Sequence, residues 1–68
     1  MPLVRIDLWP TVTREQKKVL IKNVTDAVVS AVGCPAMAVE ILLNDVDKEN
    51  WAQGGVTHAE GSPVSAGD

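Results

Sequence analysis

A single cysteine, Cys34, excludes an internal disulfide. No cluster of ligand-type residues suggests a structural metal, and no cofactor is expected. Six basic residues stand against nine acidic ones, for a net charge of −3. No basic stripe exists to neutralise phosphates, which argues against nucleic acid as a partner. No run of eighteen apolar residues is present to span a membrane. The opening Met-Pro-Leu-Val-Arg-Ile-Asp reads as a strand and not as a signal peptide, so the cytoplasm is the expected compartment. No internal repeat is evident.

What the chain does have is apolar surface. Of its 68 residues, 46% are hydrophobic, too many for disorder. A chain of this size buries only about 60% of its unfolded surface, and folding alone is marginal. With no staple available, burial against copies of itself is the expected solution.

Residues 3 to 9 alternate, with Val4, Ile6 and Leu8 on one side and Leu3, Arg5, Asp7 and Trp9 on the other. That period of two predicts a strand, ended by Pro10, which lacks a ladder donor. Thr13 and Gln16 form a T-x-x-Q capping box that opens a helix. Leu20, Val24, Ala27, Val28 and Ala31 recur at helical spacing, and Gly33 stands where a left-handed C-terminal cap belongs, with Pro35 shortly after. From Met37 to Asp45 a second strand is predicted, with Val39, Ile41 and Leu43 on one face and Ala38, Glu40, Leu42 and Asn44 on the other. Strand, helix and strand make a right-handed β-α-β crossover with parallel strands. The helix covers one sheet face; the other, carrying Leu3, Trp9 and Leu42, needs another subunit. Gly54-Gly55 after Trp51 predicts a short hairpin or arm, and residues 61–68 have the composition of a flexible tail. The fold class is therefore α/β (α+β), a single β-α-β domain over residues 2–60 that assembles into an oligomer.

Pro2 is by itself either no more than a small second residue or the carrier of the chemistry. Aminopeptidases remove an initiator methionine that precedes a small residue, which would leave Pro2 with a secondary amine. An α-amino group titrates near pH 8, roughly, and burial lowers that by disfavouring the cation. A mostly neutral amine is what a general base requires. With Met1 attached, the same nitrogen is an amide and has no lone pair to offer.

A β-α-β unit that starts Met-Pro, with Thr13-x-Glu15-Gln16-Lys17, Pro35 after the helix and Asn50-Trp51-x-x-Gly54-Gly55, resembles the 4-oxalocrotonate tautomerase family over residues 2 to about 60. The resemblance implies a hexamer, a trimer of dimers, in which the amino-terminal proline moves a proton between carbons of a small enol or dienol. It places Pro2 on the catalytic proline and Trp51 on the aromatic wall that lowers the amine's pKa. Gly54 and Gly55 fall on the glycines that turn the C-terminal arm beside the pocket. Leu3 is expected to share the apolar wall, with Trp9 and Gln53 at the pocket edge.

Two arginines that bind the carboxylate and polarise the carbonyl in the best-known members are replaced here by Val12 and Glu40. A dicarboxylate substrate is thereby disfavoured, since Glu40 repels it. Enolate stabilisation then needs another donor. The candidates are the Trp51 indole, the backbone near Trp9, an ordered water, Arg14 and Arg5. The family's dehalogenating branch is disfavoured as well, because Gln53 stands in place of its glutamate and Trp9 in place of its arginine. Two other readings stay open: an accessory subunit of a heterohexamer, and an oligomeric module that binds a small ligand without chemistry.

Plainer roles compete for the remaining residues. Glu40 reads first as an ion-pair partner of Arg5 at an interface and second as an active-site acid or base. Cys34 reads as a packing residue and His58 as surface or interface packing. Lys17, Lys18 and Lys22 read as a solvated helix face.

Overall fold

Strand β1, Leu3–Leu8, and strand β2, Glu40–Asp45, pair in parallel with a register that runs from Leu3 opposite Glu40 to Leu8 opposite Asp45. The protein is represented by a computed structural model that describes residues 2–60; Met1 and residues 61–68, the expected tail, lie outside the described residues. The ladder continues past both strand ends, with Glu40 N–H donating to the Pro2 carbonyl at 2.9 Å and Val46 N–H to Leu8 at 2.7 Å. The alternation read from the sequence appears as alternating exposure. Val4, Ile6, Leu8, Ile41 and Leu43 are half-buried, while Leu3, Arg5, Asp7, Glu40, Leu42 and Asn44 are exposed.

Helix α1, Arg14–Val32, joins the two strands as a crossover. Both halves of the expected capping box are present. Thr13 Oγ1 accepts from Gln16 N–H at 3.2 Å, and Gln16 Oε1 accepts from Thr13 N–H at 2.8 Å. The helix ends on Gly33 in the left-handed conformation, φ 81°, its N–H donating to Val29 at 2.9 Å. Leu20, Val24 and Val28 on the expected apolar stripe are half-buried, whereas Ala27 and Ala31 on the same stripe are exposed in the single chain.

Thr13→Ala is expected to cost about 1 kcal/mol through loss of the cap. A β-carbon on Gly33 meets no atom within 4 Å, so Gly33→Ala isolates the backbone cost of φ 81°; that cost is about 1–2 kcal/mol. Thermal melts at one fixed protein concentration should show both decreases, with Gly33→Ala the larger.

Two boundaries differ from expectation. The second strand does not begin at Met37: Ala36–Ala38 is a 3₁₀ turn and β2 starts at Glu40. Pro35, at φ −69°, leads into that turn, and Ala38 and Val39 N–H donate to Pro35 and Ala36 at 3.0 and 3.1 Å. Those donors are spent locally before a ladder can use them, which alternation alone does not reveal. The first strand ends at Leu8 and not Trp9, because Trp9 turns away to accept from Val12 N–H at 3.4 Å.

Lys17 also departs from its expected role on a solvated face. Its Nζ lies 2.7 Å from Asp45 Oδ2, tying α1 to the end of β2. Lys18 and Lys22 do pair along the helix, with Glu15 at 3.6 Å and Asp26 at 2.8 Å. The hydrogen bond from Lys22 to Asp26, with the charge of that carboxylate, raises the Lys22 pKa above its ordinary value.

After β2 a 3₁₀ turn, Lys48–Asn50, leads into an antiparallel hairpin of β3, Ala52–Gln53, and β4, Val56–Thr57. Gly54 and Gly55 form its two-residue turn at φ 61° and 82°. Two successive positive φ angles match the hand of a tight hairpin and favour glycine at both places. A last 3₁₀ turn covers His58–Glu60.

No described residue is fully buried, and Leu3 and Leu42 on the outer sheet face remain 49% and 46% exposed. The helix covers one face of the sheet and leaves the other open, as the alternation predicts.

Candidate active site

The chain places its expected site residues at two ends of β1. Pro2, half-buried, sits at the start of the strand, held through its carbonyl by Glu40 N–H. Leu3 follows on the exposed outer face. Glu40 therefore flanks Pro2 through the backbone. Its expected ion pair with Arg5 does not form within the chain, since the ion pairs among the described residues are those of Lys17, Lys18 and Lys22. The register sets Arg5 opposite Leu42 and Glu40 opposite Leu3.

At the far end of the strand, Trp9 is the centre of an aromatic cluster. The Trp51 ring meets it edge-on, with centroids 5.7 Å apart and planes at 73°. The His58 imidazole lies 5.1 Å from it, tilted by 54°. Edge-to-face packing directs the positive ring edge at the negative ring face and adds to simple burial. The Lys48 ammonium sits over the Trp9 ring, 4.8 Å from its centroid, in a cation–π contact. His58 is fixed in turn by its N–H, which donates to the Trp51 carbonyl at 2.9 Å. Within this cluster Trp9 Nε1 is enclosed and has no hydrogen-bond partner among the described residues. An enclosed, unpaired donor costs on the order of 1–3 kcal/mol. The cluster is thus polar-incomplete in a single chain.

Beside it opens a cleft of about 330 Å³ lined by Asp7, Val46, Asn50, Trp51 and Ala52. Trp51 thus has one edge on Trp9 and another on open space. Gln53 lies exposed on β3, opposite Val56, and is not among the residues lining this cleft. Asp7, Val46 and Ala52 were not legible as cleft residues in the sequence. Lys48 and Asn50 had one signal, their position just before Trp51 in a turn rich in polar residues.

Seven residue steps separate Pro2 from Trp9 in extended chain, roughly 23 Å at about 3.3 Å per step. The single chain does not bring Pro2 and Trp51 together. Among the described residues, no group of three or more His, Cys, Asp or Glu side chains is arranged to hold a metal ion. No described helix is long and apolar enough to cross a membrane.

Comparison with known proteins defines the class. A family model for tautomerase enzymes matches residues 2–60. The 2-hydroxymuconate tautomerase of Comamonas testosteroni is 43% identical over 60 residues, which cover 88% of this chain and 95% of that protein. A probable tautomerase of Streptococcus pneumoniae is 49% identical over 51 residues, 75% of this chain and 85% of that one. Among solved structures, a 4-oxalocrotonate tautomerase isozyme from Methylibium petroleiphilum superposes with a TM-score of 0.82 at 44% identity, over 90% of this chain and all of that one. A chain of a heterohexamer 4-oxalocrotonate tautomerase from Chloroflexus aurantiacus gives 0.86 at 29% identity, over 91% and 100%. The chain belongs to the tautomerase family, in its 4-oxalocrotonate tautomerase group.

Proposed function

We propose that the protein is a tautomerase whose general base is the amine of Pro2 after loss of Met1. The observation that carries this reading is the placement of Pro2. It is half-buried at the head of β1, with its carbonyl locked by Glu40 N–H, so its nitrogen has a fixed position at the edge of the sheet. A base must be held within hydrogen-bond reach of the proton it takes, and positioning by a backbone ladder costs little side-chain entropy. The neutral amine takes a proton from a hydroxyl or an α-carbon and returns it further along the conjugated system. Trp51, with Trp9 behind it, supplies the apolar wall that keeps the amine neutral.

The separation of Pro2 from Trp51 within one chain favours a site assembled between copies. The uncovered face with Leu3 and Leu42 supports the same assembly, a homohexamer in the simplest case. Ketonisation of phenylenolpyruvate tests the reading, using protein whose mass confirms loss of Met1 beside its Pro2→Ala variant. Turnover in the first and its loss in the second is the expected result; equal or absent activity in both removes the tautomerase reading for that substrate. Location in the cytoplasm is part of the same proposal.

One observation favours a second reading. Val12 and Glu40 stand where arginines are expected, and a structural neighbour is a heterohexamer. An accessory subunit completed by an arginine-bearing partner fits both facts. Native mass spectrometry of the protein alone separates the two: an active homohexamer needs no such partner.

A further inference from the structure

We propose that Lys48 is the carboxylate-binding cation of this site, and that its substrates are small enols bearing a single carboxylate. This rests on the tautomerase reading above and names the substrate class for it. Three of the four lysines are neutralised by carboxylates, Lys17 by Asp45, Lys18 by Glu15 and Lys22 by Asp26. Lys48 is flanked in sequence by Asp47 and Glu49 yet pairs with neither; its ammonium lies over the Trp9 ring instead.

That difference has a chemical consequence. A ring face contacts an ammonium from one side, holds it in place and brings no negative charge, leaving the donors on the far side free. A salt bridge would have consumed one and cancelled the charge. Lys48 is exposed, so its free donors remain accessible. Its platform is rigid, because Trp9 is braced by Trp51 and His58 and His58 by the Trp51 carbonyl. The 3₁₀ turn that carries Lys48 also carries Asn50, which lines the cleft with Trp51. A carboxylate on Lys48 would lie at the margin of that cleft, with the conjugated body of the enol against Trp51.

The charges around the cleft favour a substrate with one carboxylate over one with two, and Arg5 lies away from it on the outer sheet face opposite Leu42. Asp7 is in the cleft lining, and Glu40 and Val12 offer no second cation. Arg14, in the first turn of α1, is the rival anchor.

The test uses the assembled, Met1-free protein. Methionine keeps the Lys48 contact with Trp9, since its thioether also packs on aromatic rings, and removes only the charge. In phenylenolpyruvate ketonisation, Lys48→Met is expected to raise KM on the order of 10- to 100-fold, the range of a hydrogen bond to a charged group, with kcat nearly unchanged. Lys48→Arg should restore KM, and Arg14→Met should leave it unchanged. An unchanged KM in Lys48→Met, or the increase appearing in Arg14→Met instead, overturns the proposal.

A second readout does not depend on turnover. The chain has two tryptophans and no other indole, so their two ring N–H resonances report on phenylacetate binding. Phenylacetate should bind Lys48→Met more weakly by the same factor, while phenylacetamide binds both proteins alike. If the wild type binds phenylacetate through Lys48 but shows no turnover, the base assignment fails and the anchor stands. If turnover is present and neither readout responds to Lys48, the anchor alone fails.

Discussion

Replacing Pro2 by alanine is expected to lower kcat/KM for phenylenolpyruvate on the order of 10²- to 10⁴-fold, the usual contribution of a positioned general base. Alanine keeps an amine but makes it primary, free of the ring that fixes its direction, so a residue of activity is allowed. Protein that retains Met1 should show none at all, because the Pro2 nitrogen is then an amide. Activity should therefore scale with the fraction of chains whose mass lacks Met1. The pH dependence has a definite sign. The proposed base works unprotonated, so kcat/KM should rise with pH and level off above the pKa of the amine, which an apolar wall would lower. Trp51→Ala, by admitting water to that wall, should move the rise to higher pH. A profile that falls through the same range would exclude an amine base.

Introducing a charge on the outer sheet face should have an effect of comparable size on stability. Leu42 lies opposite Arg5 in the ladder and is 46% exposed in the single chain. No described residue is fully buried within one chain, whereas ordering each residue costs about 1–2 kcal/mol. The proposed assembly would supply the missing burial. Leu42→Asp should then do more than dissociate the oligomer. Sedimentation should show the loss of the wild-type mass, and circular dichroism the loss of cooperative unfolding, in the same sample. For the wild type, dilution should lower Tm, as expected when folding and association are linked. A folded Leu42→Asp monomer with a sharp melt would show that the outer sheet face is not the shared core.

Residues whose information is local were read correctly from sequence. Thr13 and Gln16 stand three apart, and the capping box they form closes on itself. Gly33 and Gly54-Gly55 adopt positive φ where the pattern asked for it. The alternation of Val4, Ile6 and Leu8 against Leu3, Arg5 and Asp7 reappears as alternating exposure. Errors arose where a backbone donor had two suitors. Ala38 and Val39 gave theirs to a 3₁₀ turn, so the alternation starting at Met37 overstated β2. Lys17 failed for a related reason: helical periodicity puts it on a polar face, but only the packing of α1 on β2 brings Asp45 within 2.7 Å.

The proposed base was nameable from the sequence because its chemistry would depend on chain position alone, a proline behind an initiator methionine. The aromatic site was visible only in part. Trp9 and Trp51 were both expected at a pocket, and of the two Trp51 lines the cleft; nothing in their spacing says that they touch, that His58 closes the cluster, or that Lys48 is held by a ring and not by a neighbouring carboxylate. Those contacts join residues 9, 48, 51 and 58 through two separate pairings, the parallel ladder that carries β2 past β1 and the hairpin that folds back after Trp51. Periodicity encodes which face a residue occupies and carries no information about which distant residue shares it. Composition and pattern thus determined the β-α-β unit, its caps and the apolar face that the helix leaves open. The register of the strands and the return of the hairpin decided which side chains meet, because long-range contacts are selected by the packing of the whole chain.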